Sequence, residues 1–221
     1  MFKKLLDNNK LGGLNCTFWK DGQVLYQESS GYKNLETHEP MTIDTLFRIA
    51  SMTKPITSVL AMMLWEEQKL DLQDPITKWF PQFRNMQVLK NQHGESEAAK
   101  RLITVLDLLT HRAGFTYSEF QQGKLRADYR RVLGGDIDSE LTNEQWINGL
   151  ASLPLVNQPG ELFNYGKSTD LLGMLISTIE GKPLGKVMEE KIFRPLAMTD
   201  TFFEVPNHKK SRCAANFGYD E

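Results

Sequence analysis

Ser51 and Lys54 stand one helical turn apart in "FRIASMTKPI", residues 47–56. On a helix this spacing puts both side chains on one face, with β-carbons about 5–6 Å apart. The chemistry open to such a pair is acyl transfer, because a serine hydroxyl is a poor nucleophile until a neighbour takes its proton. An ordinary lysine, with a reference pKa of about 10.4, is protonated at neutral pH and cannot be that neighbour. Burial under an apolar helix, the positive end of a helix dipole and cationic neighbours would each push it toward neutrality. Pro55 lacks an N–H, so it fits only the first turn, and it biases Lys54 away from ordinary helical angles. The same residues also describe a plain helix start, with serine as N-cap and lysine solvated in the first turn. Ser30 and Lys33, in "SGYK", repeat the spacing inside polar sequence that reads as a loop. Spacing alone does not separate these readings; the surrounding elements must.

Residues 14–32, "LNCTFWKDGQVLYQESSGY", predict a β-hairpin, since two apolar-aromatic runs flank Asp21-Gly22, a pair suited to the positive φ angles of a tight turn. A strand-like "LFRIA" precedes Ser51. The period then changes: Ile56, Val59, Leu60, Met63 and Leu64 recur at helical spacing, predicting a buried helix to about Gln68. "LDLQDPITKWFPQF" reads as a packed connector, in which Asp71 and Asp74 cap a turn, and residues 90–100 as an exposed loop. Thr104, with Asp107 three residues on and Gly114 beyond the end, marks a capped helix, and Thr142 heads another. A third follows Tyr165 and stops at Gly181, and a last covers about Leu184 to Phe193, before strand-like "DTFFEV". Strands, a long helical middle and returning strands imply an α+β fold: a sheet lobe over 1–68 and 196–221 with the helix after Ser51, and a helical lobe over 69–195.

Hydrophobic residues at 40% and charged residues at 24% are ordinary for a globular protein. A net charge of −2 offers no basic field for nucleic acid or an anionic membrane. Cys16 and Cys213 are read as two buried free thiols. His38, His93 and His208 lie in polar sequence without ligand spacing, so no metal is expected. The first ten residues have no apolar core of signal-peptide length, and the longest apolar run, Val59 to Trp65, is too short to span a bilayer. The expected location is cytoplasmic.

Beyond the pair itself, "LFRIASMTKPITSVLAMMLWEEQKLDLQDPITKWFPQF" resembles the active-site helix of the serine β-lactamase-related superfamily, which includes class C β-lactamases, D-Ala-D-Ala carboxypeptidases and family VIII carboxylesterases. "ITVLDLLTHRAGF", "QPGELFNYGKSTDLLGMLISTIEGKPL" and "IFRPLAMTDTFF" resemble later segments of the same proteins, in the same order, so that the likeness covers about residues 14–205. The resemblance implies a β-lactamase/transpeptidase-like fold, with Ser51 as acylated nucleophile and Lys54 accepting or relaying its proton. It makes Tyr165 the phenol that passes a proton to the leaving group, which suits chemistry only if cations lower its pKa from about 10. The backbone N–H of Ser51 would be one oxyanion donor. His111 falls in a structural "LLTH-x-x-G" turn.

Two departures qualify that likeness. The relatives' Tyr-x-Asn is here Tyr165-Gly166-Lys167, and a lysine cannot accept a hydrogen bond, which counts against β-lactams and toward family VIII esterases. The Lys-Thr-Gly or His-x-Gly strand that carries the second oxyanion donor is absent from residues 166–221. Losing one such donor costs about 10²–10³ in rate. The expectation is therefore a cofactor-free carboxylesterase on small acyl esters, in a chain that is a fragment, is completed by a partner chain or second copy at its unfinished sheet edge, or has lost activity. The alternatives are a β-lactamase or D-Ala-D-Ala carboxypeptidase acting on an amide, and a truncated non-catalytic binding or scaffold protein.

Overall fold

The computed structural model describes residue 6 and residues 11–91, 94–136 and 138–217, so His93 lies outside the described residues. Two compact units emerge: Met1–Ala50 with Asp200–Glu221, and Ser51–Thr199.

In the first unit, β1 (Gly13–Lys20) and β2 (Gln23–Asn34) form the expected hairpin, paired antiparallel from Gly13↔Gly31 to Lys20↔Gln23 with an irregularity at Phe18/Trp19. Asp21 (φ 50°) and Gly22 (φ 79°) make the turn, the conformation that "DG" was read to supply. The short β3 (Glu39–Pro40) completes a three-stranded sheet in the order β1-β2-β3, so among the described residues the outer edge of β1 is unpaired. "LFRIA" and "DTFFEV" do not form strands. Of the first, only Leu46 makes a bridge, to Cys213, and residues 200–206 are irregular before a 3₁₀ turn at Asn207–Arg212. Apolar, β-branched sequence becomes a strand only when a ladder partner is available. Here Asp200 instead holds the segment through Arg212 (2.7 Å) and Lys209 (2.8 Å). Both cysteines are free, and half-buried rather than buried.

The second unit opens with α1 (Thr53–Glu66), which buries Thr57, Leu60, Ala61 and Leu64, the i, i+4, i+7 stripe of one helix face. That face meets α5 (Ser168–Glu180), whose Leu171, Leu172, Leu175 and Ile176 are fully buried. Each such side chain contributes about 1.5–3 kcal/mol through removal from water. Because its apolar stripe packs there, α1 groups with the helices, whereas the sequence suggests grouping it with the sheet. The connector becomes 3₁₀ turns that bury Ile76 and Phe83, and β5 (Ser96–Ala98), inside the expected loop, pairs with β4 (Gln87–Leu89) just before it as a two-stranded ribbon. Short α2 (Val105–Leu109) starts at the Thr104/Asp107 capping box, reinforced by Arg101 on both carboxylate oxygens of Asp107 (2.6 and 2.8 Å). α3 (Gly123–Leu133) carries no sequence cap, and α4 (Asn143–Ala151) starts at a Thr142/Gln145 box. α5 ends at Gly181 in the left-handed region (φ 65°), and α6 (Leu184–Met188) runs into a π-helical turn at Glu189–Phe193. No helix among the described residues is long and apolar enough to cross a membrane.

Candidate active site

Ser51 lies in a 3₁₀ turn, Ala50–Met52, that leads into α1. Its hydroxyl does not cap the helix: Met52 occupies the N-cap position without a side-chain bond. Instead Ser51 Oγ accepts from Lys54 Nζ at 3.1 Å and from the Tyr165 hydroxyl at 2.7 Å. Lys54 is half-buried, with its amine 4.9 Å from the centre of the Tyr165 ring and 5.7 Å from that of Tyr117. The plain helix-start reading therefore fails for both residues. Ala50, immediately before the serine, adopts a left-handed conformation (φ 44°), an unfavourable state for a residue with a β-carbon, of the kind that gathers at functional sites. The decoy pair separates: Ser30 donates to Glu28 (2.7 Å), while Lys33 turns to the Ser211 carbonyl and Glu39.

Tyr165 arrives from the segment preceding α5. The amide of Asn164 bonds the carbonyl of His111 at 2.7 Å, which ties this segment to the end of α2. Gly166 presses its Cα against the Phe115–Thr116 backbone so closely that an added β-carbon would stand 2.5 Å from Thr116 Cα. The Tyr165 ring sits among His111 (5.0 Å between centroids), Tyr117 (5.6 Å) and Phe120 (6.4 Å). His111 lends its ring to this wall and bonds Thr169 Oγ1 through Nε2 at 3.3 Å, so it is not arranged as a base for Ser51. Burial, then the charge of Lys54, pushes the His111 imidazole below its usual range, which keeps it neutral.

Tyr165 and Tyr117 are neighbours with opposite electrostatics. Burial alone would push the Tyr165 phenol up, but its bonds to Ser51 and Lys54, and the Lys54 charge, outweigh it and hold the group below an ordinary phenol. Burial and then the Asp170 carboxylate push Tyr117 well above the phenol range, so it stays protonated and donates to Asp170 over 3.4 Å. Titratable neighbours driven apart in this way mark which one can move a proton.

Lys167 does not approach Ser51. Only 2% exposed, it donates to the carbonyls of Asp136 (2.7 Å) and Gly135 (3.3 Å), pairs with the Asp136 carboxylate (3.5 Å), and lies 4.7 Å from the centre of the Tyr117 ring. Burial pulls the amine below the usual lysine range against the opposing pull of Asp170 and Asp136, while Asp136, despite its own burial, is held low by Ser118 and Lys167. With three acceptors around Nζ, the charged pair is the state this geometry favours. Asp136, Tyr117 and Gly166 had no signal in the sequence: the first two are joined to Tyr165 only by folding, and glycine shows nothing until its neighbours are known. A cavity of about 200 Å³ opens behind this wall, between Gly135–Asp136, Trp146, Lys167, Asp170 and Met174.

A family model described as Beta-lactamase matches residues 1–220. An uncharacterized protein of Mycobacterium tuberculosis is 37% identical over 222 residues, covering 99% of this chain and 54% of its own length. Esterase EstB of Burkholderia gladioli is 30% identical over 203 residues, 92% of this chain and 50% of the esterase. Among solved structures, "EstCE1, a hydrolase with promiscuous acyltransferase activity" superposes with a TM-score of 0.80 at 30% identity, over 96% of this chain and 53% of that one. The chain thus spans about half the length of the relatives it matches.

Proposed function

Since the chain belongs to the β-lactamase family, we propose that it carries the acyl-transfer machinery of a serine hydrolase, acting as a carboxylesterase on small acyl esters. The observation that carries this reading is the single serine oxygen, exposed to solvent, that meets Lys54 at 3.1 Å and Tyr165 at 2.7 Å. Tyr165 as phenolate, favoured by the adjacent Lys54 ammonium, takes the Ser51 proton as Oγ bonds to the ester carbonyl carbon. As the tetrahedral intermediate collapses, the C–O bond to the alcohol breaks and Tyr165 returns the proton to the departing alkoxide. Water then attacks the acyl-serine, gives its proton to Tyr165, and releases the acid as Ser51 recovers its own. The developing oxyanion would be met by the Ser51 backbone N–H.

Apolar esters suit the surroundings, because Phe120 (60% exposed), Leu162 (57%) and Phe163 (64%) stand exposed in the segments that carry Tyr117 and Tyr165. A β-lactamase or peptidase role is less well supported, since the position that would be asparagine holds a lysine turned toward Asp136. A further strand, from a second chain or copy, would add at the edge of β1 that is unpaired among the described residues. Hydrolysis of p-nitrophenyl butyrate beside Ser51→Ala tests the proposal, together with fluorophosphonate labelling. Turnover and labelling that vanish in the variant are expected; a serine left unlabelled in the parent would support the scaffold alternative.

A further inference from the structure

We infer that Lys167 is a positioning residue of this site, holding Tyr117 against Tyr165 and Lys54 through a buried pair with Asp136. The inference deepens the acyl-transfer reading and rests on it for its kinetic consequence, though not for its geometry.

A lysine this deeply buried is expensive unless its charge is met, and here all three N–H donors have acceptors: two carbonyls and one carboxylate. The carboxylate does more than neutralise. Asp136 also takes the amide of Ser118 (3.0 Å), the Ser118 hydroxyl and the amide of Glu119 (3.1 Å), which fixes the backbone immediately after Tyr117. Lys167 then covers the Tyr117 ring from 4.7 Å, and Asp170 holds its hydroxyl. Tyr117 is thus pinned at ring, hydroxyl and following backbone, and its ring bears on both Tyr165 and Lys54.

The lysine is part of the same three-residue run as Tyr165 and Gly166, so one segment supplies the phenol, the close approach to Thr116 and the brace. The ionisable groups gathered at the Ser51 side are Lys54, Tyr165, Tyr117, His111 and Asp170, and around the brace Asp136, Lys167 itself, Tyr129 and Arg130, whose Nε donates to Ser118 Oγ at 3.3 Å. An apolar side chain at 167 could fill the space, but would leave Asp136 without its cation and the Tyr117 ring uncovered.

The test uses Lys167→Met and, as a form with no unpaired buried charge, the double variant D136N/K167M. Tyr165 ionisation is read from phenolate absorbance, as the difference between each protein and its Tyr165→Phe version. Turnover of p-nitrophenyl butyrate is read per Ser51 titrated with fluorophosphonate, so that misfolded protein does not count. In both variants the Tyr165 titration is expected to move to higher pH, and kcat per titrated Ser51 to fall about tenfold or more with KM moved less. An unshifted Tyr165 titration in whichever variant folds overturns the inference, because a brace that only stabilises the fold would leave that phenol alone. If the parent protein neither labels nor turns over, the esterase reading fails while the titration still decides the role of Lys167.

Discussion

Gly166→Ala isolates the geometry of the site from its chemistry, because glycine takes no part in proton transfer. Its β-carbon would meet Thr116 Cα at 2.5 Å, the Phe115 carbonyl oxygen at 2.7 Å and the Thr116 carbonyl carbon at 2.7 Å, all backbone atoms. Ordinary contact begins at 3.4 Å, so the two backbones must separate by about 0.9 Å. Phe115 and Thr116 are 1% and 2% exposed, and the Phe115 ring packs edge-on against Phe83 at 5.8 Å, so that side of the contact has little room to yield. The Tyr165 side must move instead, and a shift of that size carries its hydroxyl from 2.7 Å to beyond hydrogen-bond reach of Ser51. A misplacement of about 1 Å costs on the order of 10²-fold in rate, or roughly 2.7 kcal/mol of barrier. The overpacking itself should cost about 1–3 kcal/mol of stability. Stopped-flow acylation by a fluorophosphonate, with urea unfolding on the same samples, measures both. A folded variant that acylates Ser51 within threefold of the parent would refute the argument that this close approach sets the Tyr165 position.

Tyr165→Phe keeps the ring against His111 and Tyr117 but removes the proton carrier, so kcat for p-nitrophenyl butyrate should drop about 10²–10⁴-fold with little change in melting temperature. Since Lys54 and Ser51 hold that phenol below its usual range, activity should fall as pH drops through its lowered pKa, and this acid limb of the profile should be lost in the variant. Asp107→Asn removes the charge that receives Arg101 and caps α2, at a cost of roughly 2–4 kcal/mol by denaturant titration. Burial works against the Asp107 carboxylate, but Arg101 and Thr104 prevail and depress it; its contribution is therefore present above the unfolded carboxylate range and lost as pH falls through the folded value. Ser30→Ala should leave labelling and turnover unchanged, because among the described residues that hydroxyl bonds Glu28 and not the Ser51 site.

Local signals carried much of this molecule. Asp21-Gly22 specified its turn, and the Thr104/Asp107 and Thr142/Gln145 boxes specified two helix starts, because in each case the partners are within four residues. The Ser51–Lys54 spacing was equally local, but its meaning came from Tyr165, 114 residues away. What escaped reading depends on partners distant in sequence. α3 begins at Gln122 with no capping side chain, and β5 forms in polar sequence because β4 is there to pair with it. Conversely, "LFRIA" and "DTFFEV" had strand composition but found no ladder. The Lys167–Asp136 pair is the sharpest case: the charge that stands where the relatives carry asparagine is met 31 residues upstream.

Ser51, Lys54, Tyr165 and the braces around them all fall within the single compact unit Ser51–Thr199. Among the described residues, the hydrogen bonds that join Ser51 to Lys54 and Tyr165 are thus made inside one unit. A sequence change outside this unit therefore leaves both partners of the Ser51 oxygen in place.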